Sequence, residues 1–379
     1  MSPAQPLIVI DGHTDVAPTA DGYDFPVEEA RAGGVGAVVV AVRGGKVPAG
    51  SPPGTGLAEL EATWAGVDRA LARDPGAARR AGSPAEVVAN AAAGVLSIVP
   101  ALQNAQPLED LQALESWLDR GVAILDFGFI GDNRWVRSSR PYPSASADTG
   151  APDIAPRTEE AIELLNARGV VIDTAQVSTA ARRRIVERSA GPVIASHNGL
   201  RATVGEADRT ITDDDVRQLA AKGGLVQIVA FDGYLTPRGS HPQVVEDIRE
   251  LRERFGLPGY TGSQDYYAVL DPETADWDEQ KFDDYFREYH AKVRHDWPRS
   301  DVEKLVDAVD HVIGLVGIDH VGIASDFHHG GGIDGWLGYP ETPRVTEALR
   351  RRHGDDEVAK IWGGNLLRVW GEAQALASH

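Results

Sequence analysis

A histidine and an aspartate two residues apart follow the first apolar run of the chain. The stretch LIVIDGHTDV, residues 7–16, carries His13 and Asp15. Residues i and i+2 of a strand point to the same side, so this imidazole and carboxylate are placed to bind one divalent metal ion. The alternative is a hydrogen-bonded core histidine followed by an aspartate that caps a helix. An H-x-D pair by itself leaves both interpretations open.

Polar and ionisable residues also follow several later apolar runs. They are Gln103, Asn104, Asp173, Gln176, Ser196, His197, Asn198, Asp326, His328 and His329. Burying such groups without partners is costly, and one shared cation would pair many of them. His197 is either a metal ligand or a structural histidine. Asp326 is placed to exchange protons with a water that the metal activates, or else it caps the next helix.

Eight short runs of apolar and β-branched residues must position these groups. They lie at 7–11, 35–42, 95–102, 122–127, 170–173, 192–196, 225–231 and 320–325. Most are continuous rather than alternating, which is typical of strands buried on both faces of a parallel sheet. Amphipathic helical patterns such as LEDLQALESWLDRG lie between them. The alternation predicts an α/β fold of the (β/α)8 TIM-barrel type.

An open doubly wound sheet is the alternative architecture. It would normally carry a glycine-rich G-x-G-x-x-G turn after the first strand, and no such turn follows the first strand here. In a barrel, the active site forms at the carboxyl ends of the strands, where the polar residues of this chain gather. We therefore expect one barrel domain over residues 1–379, with residues 232–319 as a long insertion or lid between strands seven and eight.

Composition narrows the classes of partner. The net charge is −20, from 57 acidic and 37 basic residues, which disfavours nucleic acid and anionic membranes as partners. The chain has no cysteine, so any metal must be bound by nitrogen and oxygen ligands. Strand-like residues begin by residue 7, so we expect no cleavable signal peptide. No apolar run is long enough to span a membrane. The expectation is a soluble cytoplasmic protein, with a homodimer as the default assembly.

Five motifs together resemble the membrane dipeptidase (renal dipeptidase, peptidase M19) family of the amidohydrolase superfamily. In chain order they are IDGHTD, PVIASHNG, DRTITDDD, GIDHVGIASDF and IWGGNLLRVW, which span almost the whole chain. The resemblance implies a (β/α)8 barrel that binds two zinc ions and cleaves dipeptides. It also suggests a bacterial branch of the family.

The resemblance assigns roles by position. His13, Asp15 and Asp326 match the ligands of the family's first metal site, and His197 matches one ligand of the second. Arg209 in DRTITDDD matches the arginine that binds the substrate carboxylate, a role that suits its planar guanidinium. The implied substrate is a small molecule with a carboxylate group.

Three positions depart from the family pattern. Gln103 stands where the family has a bridging glutamate, Gln176 where it has a second-site histidine, and Phe129 where it has a histidine that polarises the substrate carbonyl. A neutral amide binds zinc weakly, so we expect one divalent ion rather than two, bound by His13, Asp15 and Asp326, with His197 as a further candidate ligand. Gln103 and Gln176 would then contact substrate or water, while His328 or His329 would either replace a lost ligand or lie in an exposed loop.

Three hypotheses for the function follow. The first is a metal-dependent hydrolase that cleaves the amide bond of a dipeptide or a similar small amide. The second is a lyase, isomerase or specialised hydrolase that acts on a biosynthetic intermediate, with one metal ion or none. The third is a non-catalytic relative that binds or scaffolds. We rank them in this order, since a shared fold does not by itself fix a function.

Overall fold

Eight parallel strands form the central sheet of the computed structural model. The model describes residues 7–45, 51–52, 54–139, 152–205, 209–237, 242–257, 277–289 and 299–377. The strands are β1 (Ile10–Asp15), β2 (Ala37–Arg43), β3 (Leu96–Gln103), β4 (Ile124–Asp126), β5 (Val171–Asp173), β6 (Val193–Leu200), β7 (Leu225–Val229) and β8 (Val321–Ala324). Each overlaps one of the eight predicted runs.

The strands lie side by side in chain order and close into a barrel. Each pairs in parallel with the next, from β1 through to β8. The circle closes where Asp326 N donates to His13 O at 2.9 Å and Asp15 N donates to Phe327 O at 3.1 Å. The predicted (β/α)8 barrel is therefore confirmed, and the open sheet is excluded.

Two strands, β1 and β6, extend well past the end of their apolar runs. The first run was predicted over 7–11 and the sixth over 192–196, but β1 continues to Asp15 and β6 continues to Leu200. The reason is that the backbone ladder continues past the last apolar side chain, with Thr14 beside Val40 and Asp15 beside Ala41. His13, Asp15 and His197 consequently lie within strands rather than in the loops after them.

Helices and short strands surround the barrel. The helical segments are Val27–Ala32, Leu57–Arg73, Pro84–Ala92, Leu111–Asp119, Pro156–Ala167, Thr179–Arg188, Arg201–Val204, Asp213–Ala221, Asp232–Leu235, Pro242–Arg254, Glu279–Glu288, Val302–Val316, Ile318–His320, Tyr339–Glu341, Thr342–Arg350, Asp355–Ala359, Lys360–Gly364 and Asn365–Ala377. The short strands are Ala17–Thr19, Gly22–Asp24, Ala78–Arg80 and Thr210–Ile211. Within the described part of the chain, the helices lack the length and apolar character that a membrane span requires.

Both faces of the strands are buried, as the continuous apolar runs predicted. In β2, Val38 and Val40 belong to the large cluster that contacts the surrounding helices, whereas Val39 belongs to a separate cluster. That second cluster also includes Val369 and Trp370 of the carboxyl-terminal helix. Because both faces exclude water, apolar and polar residues do not alternate along the strands of this barrel.

The range predicted as an insertion is helical where it is described. It contains Asp232–Leu235, Pro242–Arg254, Glu279–Glu288 and Val302–Val316. The last of these packs against β7, β8 and helix Asp213–Ala221, as an outer helix of the barrel does. Residues 238–241, 258–276 and 290–298 lie outside the described part of the chain.

Asp11 joins the first strand to the last at the closure of the barrel. Its Oδ1 accepts from Ser325 N at 2.8 Å, and its Oδ2 accepts from Ser325 Oγ at 2.5 Å and Tyr339 Oη at 3.0 Å. The next residue, Gly12, cannot carry a side chain, since a Cβ there would lie 1.5 Å from Nε2 of Gln227. These contacts set the path of β1 just before His13.

Asp11→Ala is expected to lower the free energy of unfolding by about 3 kcal/mol, because it leaves buried donors of Ser325 and Tyr339 without an acceptor. Urea titration followed by circular dichroism measures the change. Asp11→Asn keeps one acceptor and should lose less. An Asp11→Ala variant as stable as the wild type would show that this junction does not hold the barrel closed.

Candidate active site

Five side chains converge at the carboxyl ends of the strands. His13, His197 and Asp326 place ligand atoms within 4.8 Å of one another, and so do Asp15, Asp326 and His329. His13 Nε2 lies 3.9 Å from Asp326 Oδ1, while His329 Nδ1 lies 3.4 Å from Asp15 Oδ2 and 3.8 Å from Asp326 Oδ1. Asp326 belongs to both groups, so we treat the five residues as one unit, the barrel-mouth cluster.

Atoms of this cluster fit a bound cation. His13 Nε2 and both carboxylate oxygens of Asp15 are buried and have no hydrogen-bond partner among the described residues. Burial lowers the pKa of His13 to about 3, so its imidazole is neutral near pH 7 and offers a lone pair. A divalent ion would give these buried atoms the partner that they otherwise lack.

The backbone at the end of β8 is held in an unusual conformation. Asp326 has a φ of 54° and His328 a φ of 67°, both in the left-handed region that side chains other than glycine rarely occupy. Such conformations cost free energy and concentrate at functional sites. The turn that they form brings His329 back beside Asp326, whose carbonyl accepts from Gly331 N at 2.7 Å.

His197 is engaged on both ring nitrogens. The Ser196 hydroxyl donates to Asp173, and its oxygen lies 2.6 Å from His197 Nδ1, so Nδ1 carries the proton. His197 Nε2 is then the acceptor. Gln103 Nε2 and Gln176 Nε2 lie 3.3 and 3.0 Å from it. The sequence-predicted glutamines therefore meet at His197.

The surroundings of His197 do not favour a metal ion at its Nε2. Two amide groups face the His197 lone pair that a metal would need, and neither Gln103 nor Gln176 brings a negative charge. For His197 to act as a metal ligand, as its position in the sequence predicted, both amides would have to move away. The buried atoms without hydrogen-bond partners therefore suit a cation among His13, Asp15 and Asp326.

Arg209 reaches the same site from β6. The short strand Thr210–Ile211 pairs with the end of β6, and Arg209 Nη2 donates to His197 O at 2.7 Å. Its side chain is buried, and its Nε has no hydrogen-bond partner among the described residues. An arginine fixed in this way keeps donors available for a carboxylate.

Three residues discussed from the sequence, Phe129, His328 and His329, lie in different environments. The Phe129 ring lies 5.7 Å from the His329 ring and belongs to a buried cluster with Ile248, Leu251 and Tyr285 of the insertion. Phe129 therefore lies beside the site and contributes apolar contact, and it cannot polarise a substrate carbonyl as a histidine would. His328 is exposed, whereas His329 joins the barrel-mouth cluster.

Sequence analysis missed two residues. Arg43, at the end of β2, places its Nε 3.7 Å from Asp15 Oδ1. Asp126, at the end of β4, accepts from Gly128 N and Gln176 N, each at 2.8 Å, and so positions Gln176. The available signal was similar for both: Arg43 directly follows the apolar run 35–42, and Asp126 is the charged residue near the end of the run 122–127.

Comparisons with known proteins agree with this geometry. The family model described as membrane dipeptidase (peptidase family M19) matches residues 5–379. The structure of the probable dipeptidase PvdM from Pseudomonas aeruginosa is 32% identical, with a TM-score of 0.85 over 98% of this chain and 96% of that one. A metallo peptidase from Rhodobacter sphaeroides, solved with a phosphinate mimic of the dipeptide L-Ala-D-Ala, shares the fold at 16% identity and a TM-score of 0.69, over 97% of this chain and 100% of that one.

Curated relatives are more distant and longer. Dipeptidase 3 of Macaca fascicularis is 23% identical over 268 residues, which is 70% of this chain and 42% of that protein. Dipeptidase aclJ of Aspergillus oryzae is 24% identical over 244 residues, 61% of this chain and 43% of that protein. The aligned part thus spans less than half the length of these relatives. Together with the barrel and its polar mouth, the full-length match shows that the chain belongs to the membrane dipeptidase family, peptidase family M19.

Proposed function

We propose that the protein hydrolyses the amide bond of a dipeptide or a similar small amide with the help of one divalent ion. The observation that carries this proposal is the set of buried atoms without hydrogen-bond partners, His13 Nε2 and the two Asp15 oxygens, beside Asp326. His13, Asp15, Asp326 and His329 would hold the ion. Zinc is the proposed metal, since histidine nitrogen and carboxylate oxygen both suit it.

Each residue then has a defined task. A divalent ion bound there would lower the pKa of a water molecule and polarise the scissile carbonyl. Asp326 takes a proton from the attacking water and returns it to the leaving amine. Arg209 grips the carboxylate at the carboxyl end of the substrate, which orients the amide bond towards the barrel-mouth cluster.

Gln103 and Gln176 are proposed as substrate contacts rather than metal ligands. Their amide nitrogens face His197, and their Oε1 atoms are buried without hydrogen-bond partners among the described residues. Those oxygens are free to accept hydrogen bonds from an N–H group of the substrate. His197 and Asp173 fix the orientation of the Gln103 and Gln176 side chains and so act through these two glutamines.

The insertion is proposed as a cover over the mouth of the barrel. Its helices contribute Val244, Ile248 and Tyr285 to the buried cluster that contains Phe129, which borders the site. Closing such a site excludes water and strengthens the electrostatic contacts inside it. The homodimer and the cytoplasmic location remain predictions from the sequence.

Dipeptide turnover with and without a chelator tests the proposed function. The purified protein is mixed with a panel of dipeptides, and released amino acids are quantified by chromatography. We expect hydrolysis that a chelator abolishes and that added zinc restores. Metal binding without turnover of any dipeptide would favour a lyase or isomerase on another substrate. Turnover that survives removal of all metal would contradict the proposed mechanism.

The double variant Gln103→Glu, Gln176→His is expected to raise the metal content from about one ion to about two per chain, because it frees the His197 lone pair and adds a carboxylate beside it. Elemental analysis after dialysis against zinc measures the count. Gln218→Glu adds the same charge on an exposed helix position and should leave the count unchanged. If the double variant still bound only one ion, the two amides would not be what excludes the second.

A further inference from the structure

The end of β2 presents a second arginine to the barrel mouth. Arg43 pairs with Gln103 in the strand ladder, and its backbone is fixed by Thr63, whose Oγ1 accepts from Arg43 N at 3.1 Å. Its guanidinium lies 5.7 Å from the centroid of the Phe129 ring and approaches Asp15 through Nε at 3.7 Å. The arginine is thus part of the wall of the site, although the dipeptidase chemistry proposed above does not use it.

The Arg43 guanidinium has unused hydrogen-bonding capacity. Its side chain is 17% exposed, and its Nε has no hydrogen-bond partner among the described residues. Asp15 is its ion-pair partner but lies beyond hydrogen-bond distance, and that carboxylate also faces His329 at 3.4 Å. A planar group with five donors and no acceptor is well suited to a carboxylate or phosphate brought by a ligand.

The two arginines lie on opposite sides of the cluster. Arg43 ends β2, whereas Arg209 is bound to His197 of β6, and three strands lie between β2 and β6 in either direction around the barrel. The charges of both guanidiniums act on His13, whose pKa they lower. A substrate whose carboxylate is held by Arg209 therefore extends across the cluster towards Arg43. Two extended residues span about 7 Å, and an acidic side chain reaches further.

We propose that Arg43 binds an anionic side chain on the amino-terminal residue of the substrate, so that the preferred substrate is an acidic dipeptide such as one that begins with glutamate. This inference rests on the proposed dipeptidase function for the orientation of the substrate. A positively charged or neutral side chain in that place would leave the Arg43 donors without an acceptor. An anionic side chain would satisfy them in a site that water reaches poorly.

A competing explanation is that Arg43 only offsets the charge of Asp15. In that case its loss would change metal binding or stability and would affect all substrates alike. The ratio between two substrates that differ only in one charge separates the explanations, because a general defect cancels in the ratio.

The test compares Glu-Ala with Gln-Ala, which have nearly the same shape, in the wild type, Arg43→Gln and Arg43→Lys. Binding to the zinc-loaded protein is measured by calorimetry, and kcat/KM is measured in parallel. Metal content is determined for each variant. We expect the wild type to favour Glu-Ala by about 10- to 100-fold, Arg43→Gln to lose that preference, and Arg43→Lys to retain part of it. Ala-Glu and Ala-Gln should show no comparable difference.

The outcomes separate this inference from the proposed function. A wild-type ratio near one, a ratio unchanged by Arg43→Gln, or a preference for Ala-Glu instead would each overturn the role of Arg43. A binding preference for Glu-Ala that depends on Arg43, in a protein that hydrolyses neither peptide, would support the anion site while the proposed hydrolysis fails.

Discussion

Asp326→Asn is expected to lower kcat/KM for dipeptide hydrolysis by about 1,000-fold or more, since proton transfer by a positioned carboxylate contributes on the order of 10²–10⁴. The substitution keeps the shape of the side chain and removes its charge. It affects both halves of the barrel-mouth cluster, because Asp326 contacts His13 on one side and His329 on the other. The same variant should also bind zinc more weakly, which elemental analysis after dialysis measures.

The matched control for this variant is Asp334→Asn. Asp334 lies eight positions further along the chain, and its side chain is exposed. It should keep the wild-type rate. The left-handed backbone at Asp326 suits asparagine as well as aspartate, so the variant should fold. An Asp326→Asn enzyme with wild-type kcat/KM would rule out this carboxylate as the group that moves the proton.

Arg209→Met is expected to lower kcat/KM by about 100- to 1,000-fold, because two charge-assisted hydrogen bonds to the substrate carboxylate are lost. The guanidinium is held by His197 O at 2.7 Å. A methionine has a similar length but carries no hydrogen-bond donor, so it cannot replace the guanidinium. The loss of kcat/KM should occur only for substrates that carry a free carboxylate. The wild type should favour a dipeptide over its carboxyl-terminal amide, and Arg209→Met should treat the two alike.

Arg217→Met is the control for Arg209. Arg217 is exposed on helix Asp213–Ala221 and pairs with Asp214 at 2.9 Å. Its substitution should leave both substrates unaffected. If Arg209→Met still favoured the dipeptide over the amide as strongly as the wild type does, then a different residue must bind the carboxylate.

The barrel could be predicted because its strands are buried on both faces. A continuous apolar run such as VVVAV in β2 is required when Val38 and Val39 pack into separate cores. The same reasoning underestimated the lengths of β1 and β6. Their last residues are polar, yet they continue the backbone ladder, and polarity alone does not reveal where hydrogen bonding stops.

The candidate site was predictable where strand ends supply its residues. His13, His197 and Asp326 meet because parallel strands of a closed barrel end at one rim. The position of His329 was not predictable in this way. It depends on the left-handed conformations of Asp326 and His328, which turn the chain back on itself. Sequence patterns indicate strands and helices but not the course of such a turn.

The hydrogen bonds of His197 could not be predicted from the sequence for a different reason. The family resemblance marked Gln103 and Gln176 as departures, but only the structure shows both amides at the same imidazole nitrogen. The hydrogen-bond relay from Asp173 through Ser196 fixes which nitrogen accepts. Arg43 was missed because an arginine at the end of a strand most often lies in solvent.

Metal content per chain tests the central claim most directly. Protein purified without chelator is offered excess zinc, dialysed and subjected to elemental analysis. The proposed single cation site of His13, Asp15 and Asp326 predicts one ion per chain, and His13→Ala should lower that value. Two ions per chain would contradict the proposal that Gln103 and Gln176 exclude a second metal. No bound ion, even in excess zinc, would contradict the metal-dependent mechanism itself.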